Sequence, residues 1–200
     1  GDVVLEPARG LRFIPGGSGI EELANLTRER SGRLVAELGA IEAESDFLIV
    51  DTASGIGSNV TGVLRAATEV VVVTTPDPTA VVDAYATIKI TSRIAPTKAI
   101  WLVVNDVVGV GDAEQVYTHL RDAAARFLKH HIEYLGMIPR DPSLVEAVRE
   151  QIPVSDYAPQ APSSRAMRLI ARFLSNDRHV SLAESGVSRS FWTALTERED

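Results

Sequence analysis

The 200-residue chain contains no cysteine, which excludes disulfides and thiolate metal sites. Lysine is nearly absent, with Lys89, Lys98 and Lys129 the only three. None of them follows a glycine, so these residues hold no Gly-Lys-Ser/Thr phosphate loop. No Lys/Arg run occurs and the formal net charge is −7, which argues against a dedicated nucleic-acid surface. No apolar run is long enough to span a bilayer, and no signal-peptide pattern opens the chain. A soluble cytoplasmic protein is the default expectation. The four histidines, His119, His130, His131 and His179, form no ligand-spaced cluster near carboxylates. His130-His131 marks a helix exit rather than a metal site.

What is present is an ordinary apolar fraction, enough for one good core with room for a tail. The most informative stretch is Asp46-Phe47-Leu48-Ile49-Val50-Asp51-Thr52-Ala53-Ser54-Gly55-Ile56-Gly57. Four apolar residues without helical spacing predict a strand buried on both faces. The run ends at a carboxylate followed by small residues. In open α/β sheets, ligands bind at the carboxyl ends of the strands. Asp51 therefore reads either as a site residue or as a strand-end cap for the next helix.

The rest of the chain alternates. Residues 1–10 read as irregular, and Leu11 to Ile14 as a short strand. Pro15-Gly16-Gly17-Ser18-Gly19 is a tight connection, with Ser18 capping the next helix. Helices are predicted over 31–44, 58–67, 78–93, 112–129 and 163–174, with another starting at Pro142, and strands over 46–50, 69–74, 98–104 and 132–138. Asp77-Pro78 and Asp141-Pro142 each supply a good N-cap and first helical residue. Asp112 and Gln115 have capping-box spacing. Val116, Leu120, Ala124 and Phe127 form one stripe, and Val81, Val82, Tyr85 and Ile88 another. Leu144, Val145 and Val148 are expected to face inward, as are Met167, Ile170, Ala171 and Leu174. Strands alternating with helices predict a doubly wound, mostly parallel α/β sheet with helices on both faces. The polar strand ends Asp51, Thr74-Thr75-Pro76 and Asn105 then share one edge and converge on one ligand.

Taken together, PGGSG at 15–19, DFLIVDTASGIG at 46–57, VVVTTPDPTAVVDAY at 71–85, Asn105, LGMIPRD at 135–141 and PSSRAMRLIARFL at 162–174 resemble the MinD/ParA group of P-loop ATPases. The nearest branch is the FlhG/FleN flagellar-number regulators. The resemblance runs from about Leu11 to Leu174. It implies a nucleotide-binding domain over 1–174, incomplete at its start, followed by a polar tail over 175–200 with a possible short helix. It implies ATP and Mg²⁺ as cofactors, ATP hydrolysis to ADP, and a homodimer formed around the nucleotide. Asp51 resembles the Walker B aspartate, which is catalytic and holds the metal. Thr52 and Gly55 fall in the matching switch II stretch. Thr75 and Pro76 match the strand end bordering the nucleotide. Asn105 resembles the adenine-facing asparagine, and Pro139 and Asp141 the loop closing over the base. Asn105 also reads as a turn cap, and Asp141 as a helix N-cap.

The departure from the family pattern lies at the start. Its first strand, lysine-bearing Walker A loop and switch I are not in these residues, so this chain alone is not expected to hydrolyse ATP. Nucleotide binding itself becomes an open question. The first strand is central to the family's sheet, so a gap bordered by unpaired backbone groups is expected. Three explanations stand: the C-terminal portion of a longer ATPase, which is favoured, a pseudo-ATPase that keeps the scaffold, or a sheet completed by another chain or re-paired. The implied function is an ATP-dependent switch for flagellar placement or cell division. The alternatives are a non-catalytic interaction scaffold of the same fold and an unrelated doubly wound binding domain. A protein partner is expected, with the exposed side of the 78–93 helix, Asp83 included, near its surface. Membrane contact through Val187, Phe191, Trp192 and Leu195, peripheral at the inner face, is opposed by the acidic end Glu197, Glu199 and Asp200.

Overall fold

The computed structural model describes residues 4–8, 10–15, 38–52 and 57–181. Its elements follow the order β1 (Leu5–Ala8), β2 (Leu11–Phe13), α1 (Ser58–Ala66), β3 (Glu69–Thr74), α2 (Pro78–Ile94), β4 (Ala99–Val107), α3 (Val110–Ala123), β5 (Glu133–Pro139), α4 (Pro142–Arg149), α5 (Val154–Tyr157) and α6 (Pro162–Ser181). Residues 38–43 are also helical. The start of the chain is not wholly irregular, because β1 pairs antiparallel with β2 as a hairpin. Arg12 ties that hairpin to the end of the 38–43 helix, donating to Glu44 and Ser45 and to the carbonyl of Ile41.

Three parallel strands in the order β3-β4-β5 form the sheet. Their alternation decides what each helix covers. Val70, Val72, Ile100, Leu102 and Val104 point to one face and meet Ala84 and Ile88 of α2 and Val116 and Leu120 of α3. Each fully buried aliphatic side chain there is worth about 1.5–3 kcal/mol. On the other face α6 lies against β5, and Trp101 meets Phe173 edge-on at 5.4 Å. Gly136 makes that approach possible, since a Cβ there would sit 3.1 Å from Ile170 Cγ1 and its φ is +153°. The mixed α/β architecture, with a parallel sheet flanked by helices, is the one the alternation implied.

The strands nearest the start of the sheet depart from expectation. Residues 46–50 form no strand, and Ile49 is 87% exposed. Leu48 and Val50 still pack against Val63, Ala66 and Ala67 at α1. The period of two survives, but among the described residues no element covers the side on which Ile49 lies. For the same reason β3 is buried on one face only: Val71 and Val73 are exposed, Val73 by 59%. No described strand pairs with its outer edge.

The helices carry smaller differences. Asp112 is not the N-cap of α3 but its third residue, and its carboxylate accepts from Gly109 N at 3.2 Å. A π-helical turn, Ala124–Leu128, follows α3 and ends at Lys129 in the left-handed region. The wider turn breaks the predicted stripe, so Ala124 is buried while Phe127 faces out. Val82, Val145 and Val148 are also exposed, and Ala147 takes the inward position in α4. Ala171 is exposed as well, whereas Met167, Ile170 and Leu174 are half-buried. Within the proline-rich connector, Val154–Tyr157 closes a short helix.

Candidate functional site

The carboxyl edge of the sheet collects the polar strand ends. Thr74 is in register with Val104, so Thr75 and Asn105 come next on adjacent parallel strands. Asn105 is in turn opposite Ile138, one residue before Pro139. The connection after each strand is held by a capped helix. Asp77 accepts from Thr79 N and Ala80 N ahead of Pro78, and the bond from the Thr79 hydroxyl chiefly, with those two, holds its carboxyl below the usual value. Asp141 accepts from Ser143 N at 2.9 Å ahead of Pro142.

Asn105, Pro139 and Asp141 are brought together. They line one cavity of about 490 Å³ with Asp106, Arg140, Pro142, Leu144, Val145, Glu146 and Arg149. That volume lies in the range of small-molecule sites. The half-buried Asn105 amide makes no hydrogen bond with the described residues. An amide offering both a donor and an acceptor suits the edge of a nucleobase. Asp141 is already committed. Only 6% exposed, it also accepts from Ser163 N at 3.0 Å and Ser163 Oγ at 2.8 Å. The Ser163 bonds chiefly, and that from Ser143, hold its carboxyl below the usual range. It thus ties the loop after β5 to the amino end of α6.

Asp106 and Arg140 were not singled out from sequence. Arg140 Nε donates to Asp106 Oδ1 at 2.9 Å and its terminal nitrogen to Oδ2 at 3.0 Å. This forked bond lowers the Asp106 carboxyl and raises the guanidinium. Arg140 N also donates to Val107 O at 2.8 Å, continuing the β4–β5 pairing past the strands. Asp106 occupies an irregularity between Asn105 and Val107, with φ +57°. A consecutive Asn-Asp pair closing a strand was the available signal.

The other predicted site residues are not in that cavity's lining. Pro76 lines a neighbouring cleft of about 450 Å³ between α2 and α3, with Pro78, Val81, Asp112, Gln115, Val116 and His119. Thr75 is half-buried, and its hydroxyl accepts from Asp77 N at 3.4 Å. Asp51 and Thr52 are exposed and border neither cavity. Gly55 and the tail residues Val187, Phe191, Trp192 and Leu195 lie outside the described residues. Among the described residues no cluster of potential metal ligands occurs, and no helix is long and apolar enough to cross a membrane. His130 is buried with Nε2 3.1 Å from Lys98 O. Lys98 Nζ meanwhile caps α1, donating to Leu64 O, Arg65 O and Ala67 O.

This site belongs to a chain with clear relatives. The profile of the ParA family, described as the NUBPL iron-transfer P-loop NTPase, matches residues 40–175. The chain is 32% identical over 171 residues to antiactivator FleN of Pseudomonas aeruginosa, covering 86% of this chain and 61% of FleN. It is 34% identical over 187 residues to the flagellum site-determining protein YlxH of Helicobacter pylori, covering 92% of this chain and 61% of YlxH. An uncharacterized ATP-binding protein of Methanocaldococcus jannaschii is 28% identical over 170 residues, covering 85% of this chain and 60% of that protein. The chain thus spans about three fifths of the length of the relatives it matches. With a P-loop NTPase profile over most of its length, a parallel sheet of the expected kind, and FleN and YlxH as relatives, the chain belongs to the ParA family of P-loop NTPases, on its FlhG/FleN branch.

Proposed function

We propose that this chain supplies the base-binding and partner-contacting part of an ATP-dependent switch that sets flagellar number or placement. The observation that carries the reading is the Asn105 cavity, where the amide makes no hydrogen bond among the described residues, at the carboxyl edge of a parallel sheet. FleN is named an antiactivator and YlxH a flagellum site-determining protein, which supports a regulatory role exerted through a protein partner. Division-site placement uses the same logic and is the second process the fold would serve.

The residues fit the base better than the phosphates. Asn105, Pro139 and the Asp141 loop would hold an adenine. Thr75 and Pro76 would border the sugar and phosphates. Asp51, exposed and unengaged among the described residues, is an acceptor of the type Mg²⁺ binds through water, and would be the catalytic carboxylate. Thr52 and Gly55 would respond to the terminal phosphate. Bound ATP with Mg²⁺ would supply a phosphoryl group for transfer to water. No residue here offers the phosphate-loop lysine, so that group must come from outside these 200 residues. We propose accordingly that these residues alone release no phosphate from ATP, and that the complete protein dimerises when nucleotide binds. Membrane contact by the polar tail over 175–200 would be peripheral at most.

Calorimetry of the complete protein with ADP tests the reading. Wild type binds, and Asn105→Ala weakens binding about tenfold, the equivalent of roughly 1.4 kcal/mol. Unchanged affinity in the variant, or no binding by wild type, would overturn it. A non-catalytic scaffold of the same fold is favoured instead by the missing Gly-Lys pair. That reading requires the complete protein to show no adenine-nucleotide-dependent change in its oligomeric state or partner binding.

A further inference from the structure

We propose that Arg140, locked by Asp106, forms the platform on which a nucleotide base lies in the Asn105 cavity. This rests on the nucleotide reading of that cavity. Successive side chains of a regular strand point to opposite faces, so Asn105 and Asp106 should not meet one ligand. Both nevertheless line the cavity, because Asp106 is an extra residue between Asn105 and Val107. Such bulges re-aim a side chain at the end of a strand. The cost is a non-glycine residue at φ +57°.

Stability does not account for that cost. The side chains of Arg140 and Asp106 keep 64% and 48% of their surface exposed, and an ion pair so open to water contributes little. What the pair does accomplish is geometric. Two parallel bonds fix the guanidinium plane at the cavity, and Arg140 N is pinned to Val107 O. A planar, weakly hydrated guanidinium stacks well on aromatic faces, nucleobases included. The arrangement therefore gives the Asn105 amide an edge to read and Arg140 a ring face to support. Asp106 touches no ligand in this scheme and acts as a positioning residue through Arg140.

The test compares ADP with inorganic pyrophosphate in the complete protein, by calorimetry. Arg140→Ala and Arg140→Lys should each weaken ADP about tenfold, the Lys variant included because it keeps charge but loses the plane. Pyrophosphate affinity should not change in either variant. Asp106→Asn should weaken ADP about threefold in wild type and have no further effect beside Arg140→Ala, a dependence that a merely structural role would not show. Thermal melts of the variants close to wild type exclude misfolding, and Arg140→Lys stands as the milder variant should Arg140→Ala fail to fold. If ADP binds wild type and both Arg140 variants equally, the platform is wrong while the base-site reading stands. Equal losses for ADP and pyrophosphate would also overturn it, because charge alone would then be responsible. If wild type holds ADP no better than pyrophosphate, the base-site reading falls and takes the platform with it.

Discussion

Two stretches of this molecule look alike as sequence and differ as structure. Ile100 to Val104 and Phe47 to Val50 are both apolar runs closed by a polar residue. The first is a strand between two parallel neighbours, with Leu102 and Val104 fully buried. The second forms no strand with the described residues, and Ile49 is 87% exposed. The run of apolar residues prepares a strand, and a neighbouring strand on each side completes it. Consequently Asn105 is aimed by its neighbours into a formed cavity, whereas Asp51 ends a segment that packs against α1 through Leu48 and Val50.

Substitutions should sharpen that contrast. The largest effect is expected at the closed strand, where Leu102→Ala should lower stability by about 2–5 kcal/mol in urea unfolding. A loss under about 1 kcal/mol would mean the core is not built around β4. Next comes the tie between the β5 loop and α6. Asp141→Ala should cost about 1–3 kcal/mol at neutral pH, through the lost cap and the stranded Ser163 donors. The pH dependence has a definite sign. The folded carboxyl is lowered, so its contribution is complete above the ordinary value of 3.8 and disappears as pH falls through the lowered folded value. The difference between wild type and Asp141→Ala should therefore shrink in acid; a gap that widened there would contradict the assignment. The smallest effect is expected at the open segment, where Ile49→Ala should change stability by less than about 0.5 kcal/mol. Hydrogen exchange should follow the same order, with the amides of residues 46–50 exchanging well before those of Leu102 to Val104.

The legible parts of the fold were those decided locally. Asp77-Pro78 and Asp141-Pro142 fix helix starts through bonds two or three residues away, and both are found as expected. The parallel pairing of β3, β4 and β5 followed from alternating strands and helices, whereas their order did not. What local pattern could not show was pairing across the chain. The exposure of Val71, Val73 and Ile49 depends on which element packs over that face. Phe127 turned outward because one wider helical turn changes the phase of everything after it. The Arg140–Asp106 fork joins residues 34 apart, and Ser163 reaches Asp141 across 22. Asn105 could be named from its position at a strand end, whereas for its neighbour Asp106 the Asn-Asp pair was the one signal, and a bulge is what brings both to the same cavity.

The most direct measurement is photolabelling of the complete protein with an azido-adenine nucleotide, followed by peptide mapping. Label on the segment from Pro139 to Arg149, suppressed by excess ADP, is the expected result. Competable label on the α2–α3 cleft around Pro78 and His119, or none on either, would contradict a base site at Asn105.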